Sequence, residues 1–206
     1  MVVDGIYYAL GLVAGGAVIS YLAGALYGLP FYIVALFCLY FFRDPNRDVP
    51  DGPVAVSPAD GKVVSIKADD SASTRISIFL NIFDVHVNRS PVEGTISKVA
   101  YTSGTFLVAS RELASTQNEQ NTATVIQPDG TRVVFSQIAG LIARRIVFNK
   151  KLGDPVQKGE RVGLIKFGSR VDVFLGPEWE VTVASGDRVS AGSSVLARRK
   201  PLNAVV

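Results

Sequence analysis

One cysteine, one histidine, one methionine and one tryptophan are all that the 206 residues hold of those types. A single cysteine, Cys38, excludes an intrachain disulfide. A lone cysteine with a lone histidine, His86, cannot assemble a zinc site of the usual nitrogen and sulfur kind, so no metal is expected. Charge of one sign is also scarce. The 21 Lys and Arg against 18 Asp and Glu give a net +3, with a pI of about 9.0. That mild excess lacks the basic clusters and modules of a nucleic-acid binder, and no nucleic acid is expected as a partner. Residues 5–42 contain no Asp, Glu, Lys or Arg. This stretch is too long for the core of a secretory leader and lacks its basic start. Residues 6–27 span about 33 Å as a helix, enough for a bilayer core. Gly28-Leu29-Pro30 divides the stretch, and residues 31–42 reach only about 18 Å, which predicts a short return helix. Arg43 and Arg47 follow at once, placing the rest of the chain on the cytoplasmic face of a cell membrane.

Residues 43–53 are rich in Pro and Asp and cannot hold a helix. Beyond them, short β-branched runs alternate with turn residues. Strands are predicted at 62–67, 75–83, 94–101, 122–127, 131–137, 161–166 and 170–175. Pro128-Asp129-Gly130 reads as a hairpin turn, and 105–117 is the best helical candidate. The expected fold class is therefore mainly β (α+β), a short-stranded domain over 43–206 behind a membrane-associated helical segment over 1–42.

The pattern G-D-x-V-x-x-G-x-x-V occurs twice, from Gly153 to Val162 and from Gly186 to Val195. The unit resembles the turn-and-strand element of barrel-sandwich domains of the biotinyl and lipoyl type, and two copies predict a pseudo-symmetric β sandwich. The chain has two Gly-Ser pairs, Gly168-Ser169 and Gly192-Ser193. Gly192-Ser193 falls inside the echo, where a turn explains it fully. Gly168-Ser169 has no such explanation and lies between two β-like runs. A Gly-Ser bond in a tight turn can break itself: the hydroxyl attacks the preceding carbonyl, an ester replaces the amide, and elimination and hydrolysis leave a pyruvoyl group. Glycine suits the first position because it offers no side chain to block attack and tolerates strained dihedrals.

Two further clusters carry chemistry. In Ser57-Pro58-Ala59-Asp60-Gly61-Lys62-Val63, Asp60 is either a turn cap or an acidic site residue. In Asn81-Ile82-Phe83-Asp84-Val85-His86-Val87-Asn88-Arg89-Ser90-Pro91, strand alternation puts Asp84 and His86 on one face. An Asp/His pair meeting a serine hydroxyl would supply the base and orienting group that activation of Ser169 needs.

Together SPADGKV, DVHVNRSP, QNEQN, IAGLIARRIV and KKLGDPVQKGERVGLIKFGSRVDVFLGP resemble the phosphatidylserine decarboxylase proenzymes, in their short form. The resemblance covers most of residues 43–206, and the apolar segment followed by FFRDPNR fits it too. It implies self-cleavage between Gly168 and Ser169 into a β chain, 1–168, and an α chain, 169–206. The two would remain a heterodimer, alone or in a higher oligomer. Ser169 would become a covalent pyruvoyl cofactor whose carbonyl condenses with the amine of phosphatidylserine. Carbon dioxide leaves, and phosphatidylethanolamine is released. The resemblance assigns Asp60 to self-processing. His86 takes the first histidine position of the family's D-x-H-x-x-H-x-P stretch and is the candidate proton donor. Arg89 stands where longer members carry a second histidine. Asn118-Glu119 match an NE pair of open role. Arg144, Arg145, Lys150 and Lys151 are candidate headgroup contacts at the membrane. The alternatives are a non-catalytic membrane-anchored barrel-sandwich adaptor or carrier, and a serine hydrolase, which would lack its G-x-S-x-G elbow.

Overall fold

A computed structural model describes residues 2–68, 73–109, 113–141, 145–166 and 169–201. The chain divides into two compact units, Met1–Asn46 and Arg47–Val206. The first is a hairpin of two helices, α1 (Val3–Ala23) and α2 (Ala25–Phe41). The helices break at Gly24, whose φ of +108° suits glycine, and not at Gly28-Leu29-Pro30. Gly28 serves a different purpose. A Cβ there would strike the Ser20 hydroxyl and the Gly16 carbonyl, so its absence lets α1 and α2 approach closely. The return helix is thus longer than expected, 17 residues or about 26 Å. Both helices are apolar on all sides, and α1 is long and apolar enough to cross a membrane. The Val2 N–H donates to the Phe42 carbonyl at 3.0 Å, so the hairpin's two ends meet.

The second unit has fourteen strands among its described residues. Two sheets have three strands each. One runs β1 (Val54–Val56), β14 (Val195–Arg199), β12 (Trp179–Val181), and the other β4 (Val87–Arg89), β10 (Arg161–Ile165), β8 (Ile146–Phe148). The third has eight. Side by side they are β13 (Arg188–Val189), β2 (Gly61–Ala68), β3 (Thr74–Leu80), β11 (Ser169–Leu175), β7 (Arg132–Ile138), β6 (Gln120–Ile126), β5 (Gly94–Thr102) and β9 (Pro155–Val156). Alternate residues Ile76, Ile78 and Leu80, Val171, Val173 and Leu175, and Val133 and Phe135 all face one core and are fully buried. Each contributes about 1.5–3 kcal/mol by leaving water. The expected mainly β class behind N-terminal helices is what the chain forms.

The echo is the visible part of a full pseudo-twofold repeat. Gly153 donates to the Ile96 carbonyl and Gly186 to the Val63 carbonyl, both at 2.8 Å. Their short strands β9 and β13 close opposite edges of the large sheet. Ser57-Pro58-Ala59-Asp60-Gly61 matches Ser90-Pro91-Val92-Glu93-Gly94, with Gly61 and Gly94 at φ of +149° and +150°. Lys62 pairs with Phe79 as Thr95 pairs with Ile126, and those partners face Arg170 and Arg132 respectively. Ser169 is therefore the counterpart of Thr131, and Gly168 of Gly130. The equivalent residues Val173 and Phe135 face each other directly, so the pseudo-axis passes between β11 and β7. One repeat is inserted in the other. Where β6 and β7 join through the Gly130 hairpin, the equivalent β3 and β11 are separated by residues 81–168.

Two further expectations change in the second unit. Of 105–117, only Ala114–Gln117 forms a described helix, α3. Thr105 forms a β-bridge with Asn118 instead, and the buried Asn118 side chain bonds both the N–H and the carbonyl of Leu107. The strand predicted over 75–83 ends at Leu80. Asn81 Oδ1 accepts the Phe83 N–H at 2.8 Å and Asp84 Oδ2 accepts the Asn81 N–H at 2.9 Å, so side chains take the backbone donors a ladder would use.

Candidate active site

Ser169 begins β11 directly opposite Leu80 of β3. It is fully buried, and its hydroxyl oxygen has no hydrogen-bond partner. A buried hydroxyl in that state is unusual and marks a candidate functional atom. Its face of the sheet is apolar for most of its length and turns polar at this end. Gln137, opposite Val171, is a diagonal neighbour at about 7–8 Å. It donates to Asn88 Oδ1 at 2.9 Å and accepts from Asn121 Nδ2 at 3.2 Å. That leaves Asn88 Nδ2 as a second buried polar atom with no partner. Asn88, Asn121 and Gln137 were not expected from the sequence, because amides in strands carry no spacing signature. On the opposite face Arg170 donates to Asp172 at 2.6 Å and to the Ser77 hydroxyl, locking the start of β11. Gly168 lies outside the described residues.

His86 is brought to the same place by topology. β3 pairs with β11 and β4 with β10, so the two connections between them, 81–86 and 166–168, run between the same pair of sheets. The His86 carbonyl accepts the Ile165 N–H at 3.3 Å, four residues before Ser169. The imidazole is buried, with Nδ1 2.9 Å from the Asp84 carbonyl oxygen. A carbonyl only accepts, so Nδ1 carries the proton and Nε2 is the basic nitrogen. The Asp/His pair thus differs from expectation. Asp84 orients His86 through its backbone, while its carboxylate binds Arg188 and the Asn81 N–H.

Asp60 lies two strands away. Gly61 aligns with Leu80 and Leu80 with Ser169, so Asp60 stands about 10 Å from Ser169 across the strand spacing. Its carboxylate takes both Arg47 contacts, at 2.8 and 2.9 Å, and the Ala191 N–H at 2.8 Å. Arg89 points to the repeat turns, donating to the Gly159 carbonyl at 3.0 Å and packing against Gly192. Ser193 sits in that ordinary turn, its N–H bonded to the Ser190 carbonyl at 3.1 Å.

The same row continues through β7 to β6. Ser169 aligns with Ala139, whose N–H donates to the Glu119 carbonyl at 2.9 Å. Asn118 Nδ2 donates to the Ala139 carbonyl at 2.7 Å and so ties the 103–109 loop to this end. Glu119 accepts a bond from Tyr101, raising that phenol above its ordinary pKa. Exposed Arg145 is at this end, its carbonyl bonded to the Lys166 N–H at 3.2 Å, whereas Arg144 falls outside the described residues. Lys150 and Lys151 lie in the connection from β8 to β9, a strand four places from β11 in the large sheet, and Lys150 pairs with Glu160. Among the described residues no cluster could hold a metal ion.

The family model described as phosphatidylserine decarboxylase matches residues 34–197. A relative named phosphatidylserine decarboxylase proenzyme, from Solibacter usitatus, is 66% identical over 199 residues, covering 97% of each chain. A protein of that name from Erythrobacter litoralis is 45% identical, covering 95% of this chain and 86% of its own. One from Neisseria meningitidis is 42% identical, covering 91% and 74%. The chain is a member of the phosphatidylserine decarboxylase family and, with it, a decarboxylase.

Proposed function

We propose that the chain cleaves itself between Gly168 and Ser169 and then converts phosphatidylserine to phosphatidylethanolamine and carbon dioxide. The observation that carries this is the buried Ser169 hydroxyl, without a partner, at the polar end of the sheet in a family of proenzymes. In the first step Ser169 Oγ bonds to the Gly168 carbonyl carbon and the peptide C–N bond breaks, giving an ester and a free amine. Removal of the Cα proton then breaks the Cβ–O bond, releasing Gly168 as a carboxylate. Water adds to the dehydroalanine, ammonia leaves, and a pyruvoyl group caps residues 169–206.

The surroundings of Ser169 fit that group, since Asn88 Nδ2 is a buried donor in the same polar layer. Formed there, it supplies an electrophilic carbonyl and an electron sink for the pair left by departing carbon dioxide. His86, held at Nδ1, takes up a proton from water at Nε2 and returns it to the product Cα. Asp60, paired with Arg47, serves self-processing from two strands away. Arg145 meets the anionic headgroup. The helical hairpin holds the enzyme at the cell membrane with the domain on the cytoplasmic face.

The purified chain is expected to run as two pieces of roughly 18 and 4 kDa, in proportion to length. The smaller piece begins with a carbonyl and is lighter by one ammonia than the peptide from Ser169. Ser169→Ala stays full length and inactive, whereas Ser193→Ala still cleaves. An intact chain with unmodified Ser169 that still forms phosphatidylethanolamine overturns the proposal.

A further inference from the structure

The two ends of the eight-stranded sheet are equivalent by the pseudo-twofold, yet they carry different loops. At the end holding Ser169, three separate connections expose large apolar side chains. Ile82 and Phe83 lie between β3 and β4, with Phe83 60% exposed. Val108 and Leu113 lie between β5 and β6, with Leu113 57% exposed, and Leu141, 59% exposed, follows β7. At the opposite end the matching turns are Pro128-Asp129-Gly130 and Gly176-Pro177-Glu178, which carry no large apolar side chain. The fold is the same at both ends, so strand geometry does not require this difference. Residues 81–83 correspond to 128–130, and the connection from β7 to β8 is longer in sequence than its counterpart from β11 to β12.

We infer that these loops form a rim that seats the catalytic domain on the lipid bilayer, with Ser169 facing the lipid. Scattered exposed apolar residues are ordinary on a protein surface, but a ring of them around one site is a docking signal. The occupant follows from the proposed substrate, on which this inference rests. A diacyl lipid leaves the bilayer only by exposing both tails to water, at about 0.8 kcal/mol per CH₂. The headgroup is therefore reached most readily if the site end lies against the membrane. Arg145, exposed in the same loop as Leu141, adds charge complementary to an anionic surface. Asn118 holds the Leu107 segment of the rim in place through its three bonds to Leu107 and Ala139.

The test uses the full chain in phosphatidylserine vesicles. In Phe83→Ser/Leu141→Ser, vesicle turnover is expected to fall at least about tenfold, since even half-burial of two such side chains at the interface is worth that much. Self-cleavage and turnover of a short-chain, monomeric phosphatidylserine stay unchanged. A second measurement places an environment-sensitive fluorophore on Phe83→Cys, Leu113→Cys or Leu141→Cys, with Cys38→Ala. Brominated acyl chains quench these labels and spare one on Asp129→Cys at the opposite end. Labels that remain in water while vesicle turnover proceeds overturn the inference. Labels shielded from water but not quenched, increasingly so with protein concentration, mean that a second copy covers the rim, which also overturns it. Absence of lipid product from the unsubstituted chain instead marks failure of the functional reading, whatever the labels report.

Discussion

His86 is fixed at one nitrogen and basic at the other, and its carbonyl is bonded to Ile165, four residues before Ser169. That arrangement suits a proton donor more than a member of a three-residue relay, because the Asp84 carboxylate is committed to Arg188 and Asn81. His86→Ala is expected to keep self-cleavage and to lose lipid turnover by about 10²–10⁴-fold, the usual worth of a general acid. Gel analysis and phosphatidylethanolamine formation read the two steps separately, and loss of cleavage would move His86 into processing. The Arg89 guanidinium staples the Gly159 turn. Arg89→Ala should therefore still cleave while unfolding more easily, by about 1.5–3 kcal/mol for a charged hydrogen bond. Denaturant titration of the cleaved protein measures that loss.

The strand-to-strand connections show what the sequence reveals of this fold and where it stops. Strands were legible wherever apolar alternation ran uninterrupted, as in β2, β5, β7 and β11, each within one or two residues of the expected ends. The strand over 75–83 and the helix over 105–117 failed where Asn81, Asp84 and Asn118 bond backbone groups through their side chains, an effect no periodicity displays. The Gly-Asp echo was legible because its glycines need positive φ at Gly153, Gly159, Gly186 and Gly192. The match of Gly168-Ser169-Arg170 to Gly130-Thr131-Arg132 was not, since three residues across an insertion carry little signal. This equivalence isolates what the Ser169 connection adds. In the Gly130 turn the Asp129 carboxylate accepts the Thr131 N–H at 2.9 Å and the Gln127 N–H donates to the Thr131 carbonyl at 2.8 Å, a relaxed hairpin with its backbone groups satisfied. Thr131→Ser creates a third Gly-Ser pair in the repeat's own scissile position, yet it should give no fragment ending at residue 130. Mass spectrometry of the purified chain checks this, and a cut there would show that the dipeptide alone suffices.

The proposed cleavage at 168/169 would fall where the inserted repeat returns to the one that hosts it, and this would decide the fate of the pieces. The strands β11 to β14 all follow the proposed cut, and three of them pair across it, while β12 pairs only with β14 but sends Trp179 into the common core. β11 lies between β3 and β7, pairing with seven and six residues respectively, β13 pairs with β2, and β14 pairs with β1. Val171, Val173, Leu175, Trp179, Val189 and Leu196 enter the common core, each worth about 1.5–3 kcal/mol on removal from water. Separation would expose these side chains and open the centre of an eight-stranded sheet, leaving two long unprotected strand edges. Before the cut, only the connection 166–168 joins Lys166 to Ser169, and the flanking strands are held by their neighbours on either side. The fragments of the processed protein should therefore elute together from a sizing column in buffer and part only in denaturant. Loss of the small fragment on dilution or dialysis would show that the covalent link, rather than the shared sheet, had been holding the domain together.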